Sequence, residues 1–113
     1  MANGMGIMDK DGKNMSLTLA GLAGDLASFR NTTADVAATA LGGVFTGETE
    51  ALKKFGVVMT ETNLSAFALS QGITKSYNAM SQAEKVALRY QYVMSTTADA
   101  QGDFVRSANS WAN

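Results

Sequence analysis

Residues 81–94 read Ser-Gln-Ala-Glu-Lys-Val-Ala-Leu-Arg-Tyr-Gln-Tyr-Val-Met, and this stretch decides the fold class. A serine followed three residues later by a glutamate is a capping box. The serine hydroxyl accepts a first-turn N–H, and the glutamate carboxylate reaches back to the serine N–H. Behind Ser81 and Glu84, apolar residues Ala83, Val86, Ala87, Tyr90, Val93, Met94 and Ala98 keep helical spacing. Gly102 interrupts, and Asp103 to Trp111 resumes the spacing through Phe104, Ala108 and Trp111. The chain has no proline and eleven glycines, so glycine must end the helices.

Upstream, the same grammar repeats. Thr60 is placed to cap a helix over Glu61 to Gln71, with Leu64, Phe67 and Ala68 on its apolar side and Gly72 as its stop. Ile73 to Met80 is a connector. Glu48 to Phe55 reads as a short helix, acids first and Lys53 and Lys54 last, as the helix dipole prefers, with Gly56 after it. Val57-Val58-Met59 is the one strand-like run and is too short for more than a two-residue pairing.

Asn31-Thr32-Thr33 separates two further helices, with Thr32 expected as N-cap and Asp35 as its partner. The second carries Val36, Ala40 and Val44, weakened by Gly42-Gly43 and closed by Gly47. The first carries Met15, Leu19, Leu22, Leu26 and Phe29 beside the small residues Ala20, Gly21, Ala23, Gly24 and Ala27. Residues 1–13 form a leader, and residues 14–113 form one helical segment. The expected architecture is all-α: a compact bundle of about five short helices joined by glycine-containing turns.

Composition narrows the chemistry. Nine basic and ten acidic residues nearly cancel, so no charge run points to nucleic acid. Cysteine and histidine are absent, which removes thiolate ligands, disulfides and the commonest general base and metal ligand. Met1 to Ile7 lacks the charged start and apolar core of a signal peptide. Leu17 to Phe29 is interrupted by Asp25 and two glycines, short of the roughly 20 apolar residues of a membrane span.

Local motifs fail where chemistry is most demanding. With Gly12 at the sixth place of a calcium loop, Ile7 and Thr18 fall at the first and last ligand positions, so Asp9 to Asn14 reads as a solvated turn. Gly4-x-Gly6 has Asp9 in place of a third glycine. Gly12-Lys13 is followed by Asn14, and Ile7 replaces the first glycine of a phosphate loop. Ser81 and Lys85 can share a helical face, but a capping serine and a solvated lysine explain them better. Asp99 and Asp103 flank Gly102 and read as surface acids. Asn14, Asn31 and Asn63 each begin an Asn-x-Ser/Thr triplet, with helix starts the better reading of the last two. Tyr77, Tyr90, Tyr92 and Trp111, with Lys75, Arg89 and Arg106, are too scattered for a base-stacking array and suit core packing and snorkelling. No catalytic, cofactor-binding or metal site is expected.

Several ordered blocks carry more information than these motifs. They are Ala51-Leu-Lys-Lys-Phe-Gly-Val57, Asn63-Leu64, Gln71-Gly-Ile73, Met80-Ser-Gln-Ala-Glu-Lys85, Leu88-Arg-Tyr-Gln-Tyr-Val-Met94, Ala100-Gln-Gly-Asp-Phe104 and Ser110-Trp-Ala-Asn113. Together with Leu22 to Phe29 they resemble the shared core region of phage tail tape measure proteins, over roughly Asn14 to Asn113. Arg30 departs from the pattern, where an uncharged or aromatic residue is expected, and the family's long flanking helices are missing on both sides.

The resemblance implies a virion structural protein, located in the tail lumen and, during assembly, in the host cytoplasm; some members of the family carry separate cell-wall-degrading domains, but this chain shows none of the residues such domains need, so no enzyme activity is expected. It implies tail tube protein, assembly chaperones and tail tip proteins as partners, and a role in tail length, assembly and DNA delivery. Apolar residues at the C-terminal end, Val105, Ala108 and Trp111, suggest self-association. The alternatives are a membrane-active helical segment that helps genome passage through the host envelope, with membrane contact only during infection, and a prophage remnant without function.

Overall fold

The computed structural model describes residues 9–103 and 105. Among them are five α-helices: α1 Asp9–Arg30, α2 Ala34–Leu41, α3 Gly43–Thr46, α4 Glu61–Ser70 and α5 Gln82–Thr96. Two 3-10 helices, Glu50–Phe55 and Tyr77–Ala79, lie in the connections. No strand occurs among the described residues, so the all-α expectation holds and the two-residue pairing near Val57 does not form. Val57 and Met59 are instead buried on one side of an extended link while Val58 is exposed on the other.

α1 and α2 form a hairpin, α3 and α4 both pack on α5, and the 3-10 helix Glu50–Phe55 lies against α2. One core runs through all of them: Leu19, Leu22 and Leu26 of α1, Ala37, Ala40 and Leu41 of α2, Val44, Leu52, Phe55, Val57, Leu64, and Leu88 and Val93 of α5.

The termini show how local chemistry sets the boundaries. The Ser81 hydroxyl accepts from Glu84 N at 3.2 Å, and Glu84 Oε1 accepts from Ser81 N at 2.8 Å, completing the box. Thr60 accepts from Asn63 N at 3.1 Å. α5 stops at Thr96, short of the expected Ala98, which is exposed beyond it. The last-turn carbonyls of α5 are taken by side chains. Thr96 Oγ1 donates to Tyr92 O at 2.9 Å, Thr97 Oγ1 to Val93 O at 2.7 Å, and Gln101 Nε2 to Met94 O at 2.6 Å. Val93 O also accepts the Thr97 backbone N–H at 3.0 Å, so Met94 O is the helix-end carbonyl that a side chain meets in place of a further turn.

Other expectations shift. α1 starts at Asp9, so residues 9–13 of the expected leader are helical and Asp9 to Asn14 is helix rather than turn. The cap of α2 is Thr33, not Thr32: its hydroxyl accepts from Val36 N at 3.2 Å. Asn31 at φ 56 reverses the chain one residue after α1, which leaves Thr33 in the extended conformation that a cap requires. Glu48 to Phe55 is a 3-10 helix from Glu50, and α4 ends at Ser70. Phe29 and Val36 are 45% and 37% exposed, because the hairpin closes over Leu26 and Ala27 against Ala37, Ala40 and Leu41. Apart from Asp103 and Val105, the helical spacing expected for Asp103 to Trp111 lies outside the described residues, as do residues 1–8.

Two measurements follow from the capping box. Ser81→Ala should lower unfolding free energy by about 1 kcal/mol, read as a lower urea midpoint at constant slope; an unchanged midpoint would show that the box contributes nothing. The Glu84 carboxyl is held below its ordinary value of 4.5, chiefly by the Ser81 N–H and next by Lys75. A carboxylate depressed in the folded state adds stability above its unfolded pKa and loses it as pH falls through the folded pKa. Glu84→Gln should therefore be less stable than the parent near neutrality, and the gap should close below pH 4.5.

Candidate functional site

Four of the chemistry-bearing residues singled out in the sequence, Lys75, Tyr77, Lys85 and Arg89, lie together at the N-terminal half of α5. Arg89 lies there at 7% exposure, a charged residue in the core. Its Nε donates to the Tyr77 hydroxyl at 3.1 Å and its Nη1 to the Val44 carbonyl at 3.0 Å. The guanidinium also faces the Tyr77 ring, 6.0 Å from its centroid, and Lys85 lies over that ring at 5.1 Å. Tyr77 is thus held between two cations one helical turn apart. No carboxylate among the described residues forms an ion pair with Arg89. The carbonyl of Val44, in the short α3, and the tyrosine oxygen take that role, as buried polar atoms must be partnered.

Glycine makes room for this arrangement. Gly47 has φ 87, and a Cβ there would lie 3.3 Å from Arg89 Nη2. The positive φ therefore favours glycine, and a Cβ would also press lightly on the guanidinium. Gly43 is needed for space alone, since a Cβ would collide with the Glu48 carbonyl.

Beside this cluster, Lys75 Nζ meets Glu84 Oε1 at 2.9 Å. The pair edges a hollow of about 170 Å³ with Ile73, Met80, Ala87 and Leu88 on its walls. A second hollow of about 180 Å³ lies between α1 and the α2–α3 corner, lined by Leu19, Ala20, Leu41 and Phe45.

The remaining candidates are engaged in folding. Tyr92 stacks edge-on against Phe67 with centroids 5.5 Å apart, and its hydroxyl donates to Val58 O at 2.9 Å. Tyr90 packs partly buried against the core. Asn63 Nδ2 donates to the same Val58 carbonyl at 2.8 Å, and Asn31 reverses the chain after α1. The Ser81 hydroxyl is occupied by Glu84 N, while Lys85 is turned to Tyr77. Asp103 accepts from Ser28 Oγ at 2.7 Å, and Asp25 accepts from Gly102 N at 2.9 Å, so this acid pair closes the fold onto α1. Asp99 also has partners in the structure. Trp111 and Arg106 lie outside the described residues. Among the described residues, no three metal-ligating side chains come together, and no helix is long and apolar enough to cross a membrane.

Arg30, the departure noted in the sequence, has a visible task. Its Nη2 donates to Phe55 O at 3.3 Å while its guanidinium lies 5.7 Å from the Phe29 ring centroid. It ties the end of α1 to the turn at Gly56.

Sequence reasoning assigned Arg89 to a snorkelling surface role and missed its burial. The available signal was its place four residues before Val93, one helical turn away on the same face.

Arg89→Ala should destabilise the chain by about 1–3 kcal/mol, the cost of leaving buried partners unpaired. Gly47→Ala should also destabilise it. Gly21→Ala, which meets nothing within 4 Å on the outside of α1, should stabilise it by about 0.4–1 kcal/mol. Chemical denaturation of the three variants checks this order, and an Arg89→Ala midpoint equal to the parent's would contradict it.

No protein-family model, curated protein or solved structure matches the chain, so the site is read from its own residues.

Proposed function

We propose that this chain is a structural segment of a phage or prophage tail, a folded core region of a tape measure protein, and that it has no catalytic activity. One observation carries the reading: several of the sequence blocks that resemble that family supply joints of this fold. Ala51 to Val57 supplies buried Leu52, Phe55 and Val57. Met80 to Lys85 supplies the capping box. Leu88 to Met94 supplies buried Leu88, Arg89 and Val93. Ala100 to Asp103 supplies buried Ala100 and the ties to α1. Residues that recur as words because a fold needs them would sit at such positions.

In this reading the segment acts by packing. Its partners are tail tube protein, assembly chaperones and tail tip proteins, with no specific contact to nucleic acid. It works in the tail lumen and, before that, in the host cytoplasm. Val105, at 58% exposure, belongs to a surface that joins copies of the chain. Membrane contact would be confined to infection. The rival membrane-active reading gains its support from exposed Leu17 and Phe29 on α1.

The test is retention of the purified chain on tail tube protein and tail assembly chaperones from the genome that encodes it, beside a thermal-shift panel of divalent metals and nucleotides. Retention on a tail component with no shift across the panel is expected. No retention, together with a shift of several degrees at micromolar ligand, would overturn the proposal. Sedimentation across a concentration series should show reversible self-association that Val105→Asp weakens; a single species at every concentration would remove that part. Release of dye from vesicles by the chain would favour the membrane-active reading.

A further inference from the structure

We draw no further inference here: the strongest candidate, the shallow apolar hollow between α1 and the α2–α3 corner lined by Leu19, Ala20, Leu41 and Phe45, is an unpartnered face, and nothing in the described structure shows what covers it.

Discussion

The hydrogen bond from Arg89 Nη1 to the Val44 carbonyl joins two halves of the chain separated by 45 residues, in the core. Much else is arranged around it. A guanidinium taken out of water needs acceptors, and here they come from the backbone of α3 and the Tyr77 hydroxyl rather than from a carboxylate. The carbonyl must therefore be free of its usual helical partner, which a four-residue helix provides. Gly47 ends that helix with a positive φ and with no side chain beside Nη2. Tyr77 must be presented by the connector before α5, and its 3-10 turn does this. A charge buried in this way contributes little net stability but penalises any register in which its partners are displaced. It fixes how α5 meets α3 more than how strongly.

The legible part of the fold was its punctuation. Ser81, Thr60, Gly47, Gly56 and Gly72 act where the sequence placed them because caps and left-handed stops depend on a few adjacent atoms. Faces were less legible. The stripe Val36, Ala40, Val44 steps by four, and four residues overshoot a turn of 3.6 by about 40° each time. Over two steps one end rotates off the buried side, and Val36 is the end that leaves. The buried set is Ala37, Ala40, Leu41 and Val44, the spacing of a helix seated in a groove. On α5 the difficulty was different. That helix receives α4 on one side and α3 on another. Its innermost residues, Leu88, Arg89 and Val93, therefore lie between the half-buried Val86, Tyr90 and Met94. Hydrophobicity alone could not promote an arginine to the core, because the acceptors that permit it come from residues 44 and 77.

Of the candidate chemistry, the sequence reading expected solvated charges, and the fold spends several of them internally. Lys75 is paired with Glu84, Arg30 holds the Phe55 carbonyl, and Asp25 and Asp103 hold the turn after α5 to α1. These links fall at or near the ends of elements. Apart from α1 and α5 the helices span ten residues or fewer, so their ends make up much of the structure, and unsatisfied end groups are met by side chains.

The same shortness bears on the proposed role. A ruler gains length most cheaply from continuous helix, at about 1.5 Å per residue. Here α1 doubles back on α2 at Asn31, and the chain turns again at Gly47, Gly56 and Gly72. Residues spent on reversals add no length. They add a closed core and a defined outer surface, which suit a fixed contact within an assembly. If the segment belongs to a tape measure protein, its share of the work is therefore attachment or folding control, and the measuring falls to chain outside it. Hydrogen bonds from Ser28 to Asp103 and from Gly102 to Asp25 reinforce this division. They anchor the turn after α5 to the last turns of the first helix.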